Sequence, residues 1–284
     1  MEQVWLWLRT RAPWLRRMVH SPALRPMVAI TLAHRQESAR VVTGTSGGLT
    51  LTVPTRYAER YLAGQYEPLA TDFMRQRLRP GMTAVDVGAH VGYLSCYMSK
   101  LVGPAGRVVA IEPAEENARL VRRNAADNDL TIEVICAGAG SRQTTRSLHV
   151  TGSSDSHGFY EHPNSRTRRQ VTVEEVPLDE LFASSPDLVK IDVEGAEVEV
   201  LEGMQRMLSE ARPDLLVEWA PRCQSRAGRE PDELVRLLLD YDYSIRALDD
   251  KNGRVLSIEE AVRCAEHDDD WYANLACVHR TRGL

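Results

Sequence analysis

The sequence is poor in the features that stabilise small secreted domains or anchor a chain in a bilayer. Its 284 residues include five cysteines, an odd number scattered along the chain without close pairs. These thiols predict neither a disulfide framework nor a zinc cluster, and they favour a reducing compartment, the cytoplasm. Apolar runs are short as well, since none approaches the roughly 20 residues that a membrane-spanning helix requires.

A general excess of positive charge is also absent, because 35 basic residues face 40 acidic residues and the net charge is −5. Such a chain offers no overall basic field for nucleic acid, and we predict no such partner. Residues 1–40 are the exception, with seven arginines against Glu2 and Glu37 and three tryptophans among them. Arginines interrupt every apolar stretch here, so the segment does not resemble a signal peptide. It either contacts an anionic membrane surface or uses its tryptophans to cover the core or a partner in a homodimer, and we favour the second interpretation.

Two regions are predicted from the turn signals. Residues 1–48 form an Arg/Trp-rich N-terminal extension of short helices, which ends at a glycine-rich turn at 43–48. Residues 49–284 form the main domain, which begins with a strand at 49–53 and a helix at 67–78.

From residue 82 onward, apolar runs typical of strands alternate with apolar residues at helical spacing. The predicted strands lie at residues 83–87, 107–111, 132–137, 188–193, 215–219, 244–248 and 273–279. Those that begin at 83, 107, 188 and 215 are continuously apolar, as a parallel sheet covered on both faces requires. We therefore expect an α/β fold with a doubly wound, seven-stranded, mostly parallel sheet that binds ligands beyond the carboxyl ends of its strands.

Residues 141–177 interrupt this alternation with a long polar insertion. It contains His157, whose ordinary pKa lies near neutral pH, and a basic run at 166–169. Long polar insertions between sheet strands often bind substrate, so this one is a candidate acceptor loop. The alternative is a β-hairpin with a solvated tip and an exposed His157.

The strongest local motif is Asp86-x-Gly88-x-x-x-Gly92, which lies between a buried strand and an amphipathic helix. Glycines in such a loop let backbone N–H groups approach a ligand, and Glu112 ends the next strand, where an acid can accept hydrogen bonds from a ribose diol. A dinucleotide site needs G-x-G-x-x-G, which this loop lacks. An anion at Asp86 would repel a pyrophosphate but suits the amino group of a methionine moiety.

Three stretches together resemble the FkbM family of methyltransferases. They are residues 81–113 with Asn117 on the following helix, residues 177–181, and residues 188–197, which include Asp192-Val193-Glu194-Gly195. The resemblance spans about residues 62–220 and departs from the family at His90, where asparagine is usual. It implies a Rossmann-like class I methyltransferase fold. His90 can still donate a hydrogen bond, although it could instead act as a local base.

The resemblance implies S-adenosylmethionine as the cofactor and transfer of its methyl group to a hydroxyl of a sugar, glycolipid or polyketide-like metabolite. Alternatives are N- or carboxyl-methylation of a small molecule, or a homologue that binds the cofactor without catalysis. The predicted cofactor-binding residues are Glu67, Asp86, Gly88, His90, Gly92, Glu112, Pro113 and Asp192. Asp192 is the first candidate for the base or acceptor-orienting group, followed by Glu194 and His157.

The carboxylates at two strand ends have further interpretations. Asp192 and Glu218 could form a Mg²⁺ pair, but no third ligand is evident, so we expect no metal. Glu194 or Glu197 could instead cap the helix that follows. Lys190 lies two residues before Asp192 on the same strand face and could pair with it.

Overall fold

The computed structural model describes residues 41–62, 66–151, 157–160, 167–268 and 270–282. The helices predicted in the extension lie outside these ranges. The chain divides between Tyr66 and Glu67 into two compact units.

The first unit contains an antiparallel hairpin of β1 (Val41–Ser46) and β2 (Leu49–Pro54), followed by a 3₁₀ turn at Thr55–Tyr57 and by α1 (Ala58–Leu62). Gly47 and Gly48 form its turn with φ values of 55° and 75°. Two consecutive left-handed residues match the twist of a two-residue hairpin. The boundary predicted at residue 48 thus falls inside a hairpin, whose second strand the sequence predicts correctly.

The strands described for the second unit include all seven that the sequence predicts, in the same order along the chain. They are β3 (Thr83–Val87), β4 (Arg107–Ile111), β5 (Glu133–Ile135), β6 (Gly138–Ala139), β7 (Thr144–Thr151), β8 (Thr167–Val176), β9 (Leu188–Ile191), β10 (Asp214–Trp219), β11 (Tyr243–Asp249), β12 (Arg254–Leu256) and β13 (Ala273–His279).

Eight of these strands form the main sheet, in the order β12-β11-β13-β10-β9-β3-β4-β5. Pairing is parallel from β5 to β10, whereas β13 runs antiparallel to both β10 and β11. The α/β fold with a mostly parallel sheet is confirmed, with one strand more than the seven predicted. The addition, β12, is a three-residue edge strand with an exposed Val255, too short to show a period of two.

The helices cover both faces of this sheet. They are α2 (Pro68–Arg77), α3 (Tyr93–Val102), α4 (Glu115–Ala126), α5 (Leu178–Leu181), α6 (Glu197–Glu202), α7 (Pro221–Arg226), α8 (Glu233–Asp240) and α9 (Ile258–His267), with a π-helical turn at Met207–Ala211. Within the part of the chain that the structure describes, no helix is both long and apolar enough to span a bilayer.

The insertion adopts the hairpin predicted as the alternative. β7 and β8 pair antiparallel, and β6 pairs parallel to β8, which gives a separate three-stranded sheet. Residues 152–156 and 161–166, which include most of the predicted tip, lie outside the described ranges.

Candidate active site

Neighbouring chain segments leave no room for a side chain at either glycine of the loop after β3. Gly88 has φ 76°, and a Cβ atom there would lie 1.8 Å from the carbonyl oxygen of Asp192. Gly92 has φ 81°, and a Cβ there would lie 2.9 Å from the side chain of Val121 on α4. His90 has φ 50°. Asparagine and histidine are enriched among the non-glycine residues with such a backbone, which gives a physical reason for histidine at a position where asparagine is usual.

The backbone N–H groups of this loop have acceptors within the protein. Gly88 and Ala89 donate to the carbonyl oxygen of Ile111 at 2.9 and 3.3 Å, and His90 donates to Glu112 Oε2 at 2.8 Å. The expectation that the glycines present these N–H groups to a ligand therefore needs correction. Their lack of side chains allows the segment after β9 and helix α4 to approach the loop closely.

Glu112 lies at the end of β4, as predicted, and is 4% exposed. Its carboxyl also accepts from Ala114 N at 2.9 Å and from Asn117 Nδ2 at 3.3 Å. Burial raises its pKa to about 7, although these donors and that of His90 act in the opposite direction. An ionised carboxyl has about four acceptor positions, so these three donors leave one for a ribose hydroxyl. Pro113 follows and is partly buried.

Lys190 on β9 connects the loop to the end of its own strand. Its Nζ lies 3.1 Å from Asp86 Oδ1 and 3.6 Å from Asp192 Oδ2, and it donates to the Gly88 carbonyl oxygen at 2.8 Å. Burial alone would lower the pKa of Lys190, but the carboxylates of Asp86 and Asp192 raise it above its usual value. The predicted pairing of Lys190 with Asp192 is confirmed, and Asp86 is a second partner.

Asp86 itself is fully buried. Ser95 Oγ donates to its Oδ2 at 2.5 Å, and its other oxygen faces Lys190. These contacts assign Asp86 to holding Lys190 and α3, since its carboxylate does not reach the surface of the loop. Its role as a direct partner of the methionine amino group stays a prediction.

Three carboxylates meet at the ends of β9 and β10. Asp192, Glu194 and Glu218 each offer an oxygen atom, and these atoms lie within 4.8 Å of one another. We call these three residues the acid cluster. Burial raises the pKa of Glu218 well above its usual value, and the charges of Asp192 and Glu194 add to this effect.

The acid cluster supplies the third oxygen ligand that was not evident from the sequence, because Glu194 joins Asp192 and Glu218. Glu194 has φ 57°, a local backbone conformation that spacing alone does not indicate. The ammonium of Lys190 already provides a counter-charge for Asp192. We therefore retain the expectation that no metal is needed, with the three carboxylates as the alternative.

Glu67 and Asn274 extend the site toward β13. Glu67 precedes α2 with a left-handed backbone, φ 46°. Asn274 pairs with Glu218 across β10 and β13, and its Nδ2 approaches Glu67 Oε2 at 3.4 Å. Sequence reasoning identified Glu67 and missed Asn274, because no motif marks a residue that reaches the site through an antiparallel pairing with β10.

The helix cap that the sequence suggested for Glu194 or Glu197 is not formed, since Ala196 is the N-cap of α6 and no side chain caps this helix. Glu197 instead binds the loop that precedes α6. It is buried and accepts from the backbone N–H groups of Val193 and Gly195 at 3.0 and 3.1 Å. Gln224 on α7 donates to its other oxygen at 2.5 Å. Glu197 thus holds in place the segment that carries Asp192 and Glu194.

The insertion reaches the same edge of the sheet. A Cβ atom at Gly158 would lie 3.5 Å from Glu194 Cβ, so the chain next to His157 contacts the acid cluster. Tyr160 donates to Glu199 Oε1 at 2.8 Å, and Arg146 contacts Glu199 Oε2 at 2.5 Å. Arg146 also lies over the Tyr160 ring, 5.0 Å from its centroid. These contacts fix residues 157–160 beside the cluster, while the role of His157 as a base stays a prediction.

Comparison with known proteins gives matches to methyltransferases. The family model of the methyltransferase FkbM domain matches residues 86–245. Methyltransferase sdnD of Sordaria araneosa is 31% identical over 57% of this chain and 73% of its own length. Protein-L-isoaspartate O-methyltransferase 2 of Arabidopsis thaliana is 30% identical over 39% of this chain, and the chain spans one third (33%) of that relative.

A solved structure of the methyltransferase FkbM from Methylobacillus flagellatus is 17% identical, with a TM-score of 0.42, over 92% of this chain and 60% of that one. The residues that the family model matches include the loop after β3, Glu112, Lys190 and the whole acid cluster. The chain belongs to the FkbM family of methyltransferases.

Proposed function

We propose that this protein transfers a methyl group from S-adenosylmethionine to a hydroxyl oxygen of a sugar, glycolipid or polyketide-like metabolite. The observation that carries the proposal is the position of the acid cluster beside the loop after β3, where the backbone carbonyl oxygen of Asp192 packs against Gly88. A methyl acceptor placed there would meet carboxylates that can orient a hydroxyl and take its proton.

The residues present fit the donor. Glu112 retains an acceptor position for a ribose hydroxyl, and the carboxylates at the ends of β9 and β10 suit a cationic ligand. Glu67, His90 and Asp192 would hold the methionine end. When bound, S-adenosylmethionine supplies a strongly electrophilic methyl group on its sulfonium.

The protein's part in the reaction is alignment and proton removal. Lys190 restrains Asp192, so this carboxylate suits holding the acceptor hydroxyl in line with the methyl group. Burial and the charges of Asp192 and Glu194 raise the pKa of Glu218, so its ionised carboxylate is a stronger base than an ordinary glutamate. His157 is an alternative base on the insertion.

The charge of the site favours a hydroxyl over a carboxyl acceptor. Three carboxylates within 4.8 Å of one another would repel an anionic acceptor group. An amine acceptor remains the second candidate, since a cation is attracted to the same charges. If residues 1–48 contact a membrane, a glycolipid acceptor would be within reach. In a homodimer, the same residues would instead cover the surface of the partner subunit.

Calorimetry with S-adenosylmethionine and with NAD tests the donor, and a preference for NAD would exclude the proposal. Transfer of labelled methyl to a panel of hydroxylated, amine and carboxylate acceptors then tests the acceptor class. Asp192→Asn should abolish transfer and weaken donor binding by no more than about threefold, because the amide oxygen can still accept a hydrogen bond from the methionine amino group and Lys190 keeps Asp86 as a partner. Asp240→Asn, an exposed change at the end of α8, is the matched control and should retain activity.

A further inference from the structure

Lys190 is a buried ammonium without direct access to a ligand. The residue is 4% exposed and lies in the middle of the sheet, paired in register with Asp86 on β3 and Leu216 on β10. A charged group at such a depth is retained only where it is paired and hydrogen-bonded, and both conditions hold here. Its effect on the reaction must therefore pass through the groups that it contacts.

Those contacts include both sides of the cofactor site. On the loop side, Nζ donates to the carbonyl oxygens of Gly88 and Val87 at 2.8 and 3.4 Å. On the β9 side, it lies 3.6 Å from Asp192 Oδ2. One ammonium thus fixes the first glycine of the loop relative to Asp192, whose backbone carbonyl oxygen faces that glycine.

The same ammonium determines the local charge. The acid cluster carries three carboxylates, and Asp86 adds a fourth beneath the loop, whereas Lys190 compensates Asp86 and weakens the field of Asp192. The methyl donor has a positively charged sulfur, and the product after transfer has a neutral sulfur. A site that is too negative would stabilise the donor relative to the transition state, in which this charge is already decreasing.

We propose that Lys190 is a positioning residue that fixes Gly88 and Asp192 and whose charge sets how strongly the site distinguishes S-adenosylmethionine from S-adenosylhomocysteine. This inference rests on the proposed methyl donor. A role in packing alone would alter the affinities for both ligands by the same factor. A role through charge changes their ratio, because the two ligands differ at sulfur by one methyl group and one unit of charge.

The experiment is titration calorimetry of the full chain with both ligands separately, at a single pH and ionic strength. Lys190→Met leaves Asp86 and Asp192 uncompensated, and we expect the affinity ratio to shift toward S-adenosylmethionine by about threefold to tenfold. The double variant Lys190→Met/Asp86→Asn removes both members of the buried pair and restores the local charge, so its ratio should return to that of the wild type. Lys190→Arg keeps the charge and should keep the ratio.

The outcomes separate this inference from the function on which it rests. If the wild type binds neither ligand, the proposed function and the inference both fail. If the wild type binds both and Lys190→Met keeps its ratio, only the role of Lys190 is overturned. Should Lys190→Met fail to fold, as thermal unfolding would reveal, Lys190→Gln takes its place with the same expected shift, because it removes the charge and keeps a hydrogen-bond donor. A ratio in the double variant or in Lys190→Arg that differs from the wild type by more than threefold contradicts a role through charge.

Discussion

At the scale of single residues, Gly88 matters both for the fold and for the site, because the absence of a Cβ atom there leaves room for Asp192. Residues with a Cβ atom rarely adopt its φ of 76°, and a Cβ atom there would overlap the carbonyl oxygen of Asp192. Gly81 has a similar backbone, φ 90°, and nothing within 4 Å of a Cβ. A substitution at Gly81 therefore measures the cost of backbone strain alone, whereas one at Gly88 measures strain together with the close contact.

We predict that Gly88→Ala lowers the unfolding free energy by at least about 3 kcal/mol and abolishes donor binding, because the contact adds to the strain. Gly81→Ala should cost about 1 kcal/mol and leave binding intact. Chemical denaturation and calorimetry measure both effects. Equal losses in the two variants would show that the contact with Asp192 is unimportant.

Glu112 gives a pH dependence whose sign can be derived. Its pKa is about 7 in the folded protein against an ordinary value of 4.5, so burial favours the protonated form. Its contribution to stability is thus complete below about pH 4.5 and is lost as the pH rises through about 7. A ribose diol prefers the ionised acceptor, so ligand binding has the opposite trend.

We predict that 5′-methylthioadenosine, which has the ribose without an amino-acid group, binds about tenfold more tightly at about pH 8 than at about pH 5.5. Glu112→Gln should weaken binding and remove this pH dependence, whereas Glu116→Gln, exposed on α4, should preserve it. Calorimetry across this range is the measurement. A pH dependence that survives in Glu112→Gln would assign it to another group.

The residues that the sequence identified share one property. Asp86, Gly88, Glu112 and Asp192 lie at strand ends within short motifs, where local pattern and topology place them together. Asn274 has no such motif, and it reaches Glu67 only because β13 pairs with β10. The contact between Gly158 and Glu194 likewise depends on how the insertion folds back, which local pattern does not specify.

At the scale of elements, the insertion hairpin is fixed to the main sheet by a few charged contacts. Arg146 on β7 is held between Glu175 on β8 and Glu199 on α6, at 3.3 and 2.5 Å. His149 N donates to the carbonyl oxygen of Gly158 at 2.9 Å, which closes residues 157–160 onto the hairpin. Arg146 therefore holds the part of the insertion that contacts the acid cluster.

We predict that Arg146→Ala speeds hydrogen exchange at the His149 amide by about tenfold or more, because it leaves Glu175 buried without its partner. Arg169→Ala removes another ion pair of the same hairpin, the one with Glu116, whose N–O distance is 3.1 Å. Both of its members are exposed. That control should change exchange by less than about threefold. Mass spectrometry of peptides that span residues 147–151 reports both; equal effects would exclude the anchoring role.

The elements predicted with least success are those without periodicity. β12 has three residues, and β1 lies in a segment rich in threonine, serine and glycine. β12 pairs with β11, and β1 pairs with β2, in each case across a tight turn. Each is therefore a strand because of its partner, not because of a pattern in its own residues. The long apolar strands of the parallel sheet were predictable because burial on both faces leaves a clear sequence pattern.

At the scale of the whole molecule, charge is distributed unevenly between residues 1–40 and the rest of the chain. The predicted boundary at residue 48 would cut through the turn of the first hairpin, so a truncation should begin at Val41. We predict that the full chain and residues 41–284 pellet equally with vesicles of phosphatidylcholine and phosphatidylserine, since we favour packing over membrane contact for the tryptophans. Co-sedimentation is the measurement, and selective pelleting of the full chain would instead assign residues 1–40 to the membrane.

The antiparallel strand β13 has a consequence for synthesis. A ribosome produces β10 and β11 before it produces β13, yet β13 lies between them in the sheet. During translation, neither strand can form its hydrogen bonds with β13 until residues 273–279 have left the exit tunnel. Asn274, which pairs beside Glu218, arrives with that strand. A nascent chain can therefore assemble the parallel half of the sheet early, but the pairing that places Asn274 beside Glu218 forms only after β13 has been synthesised.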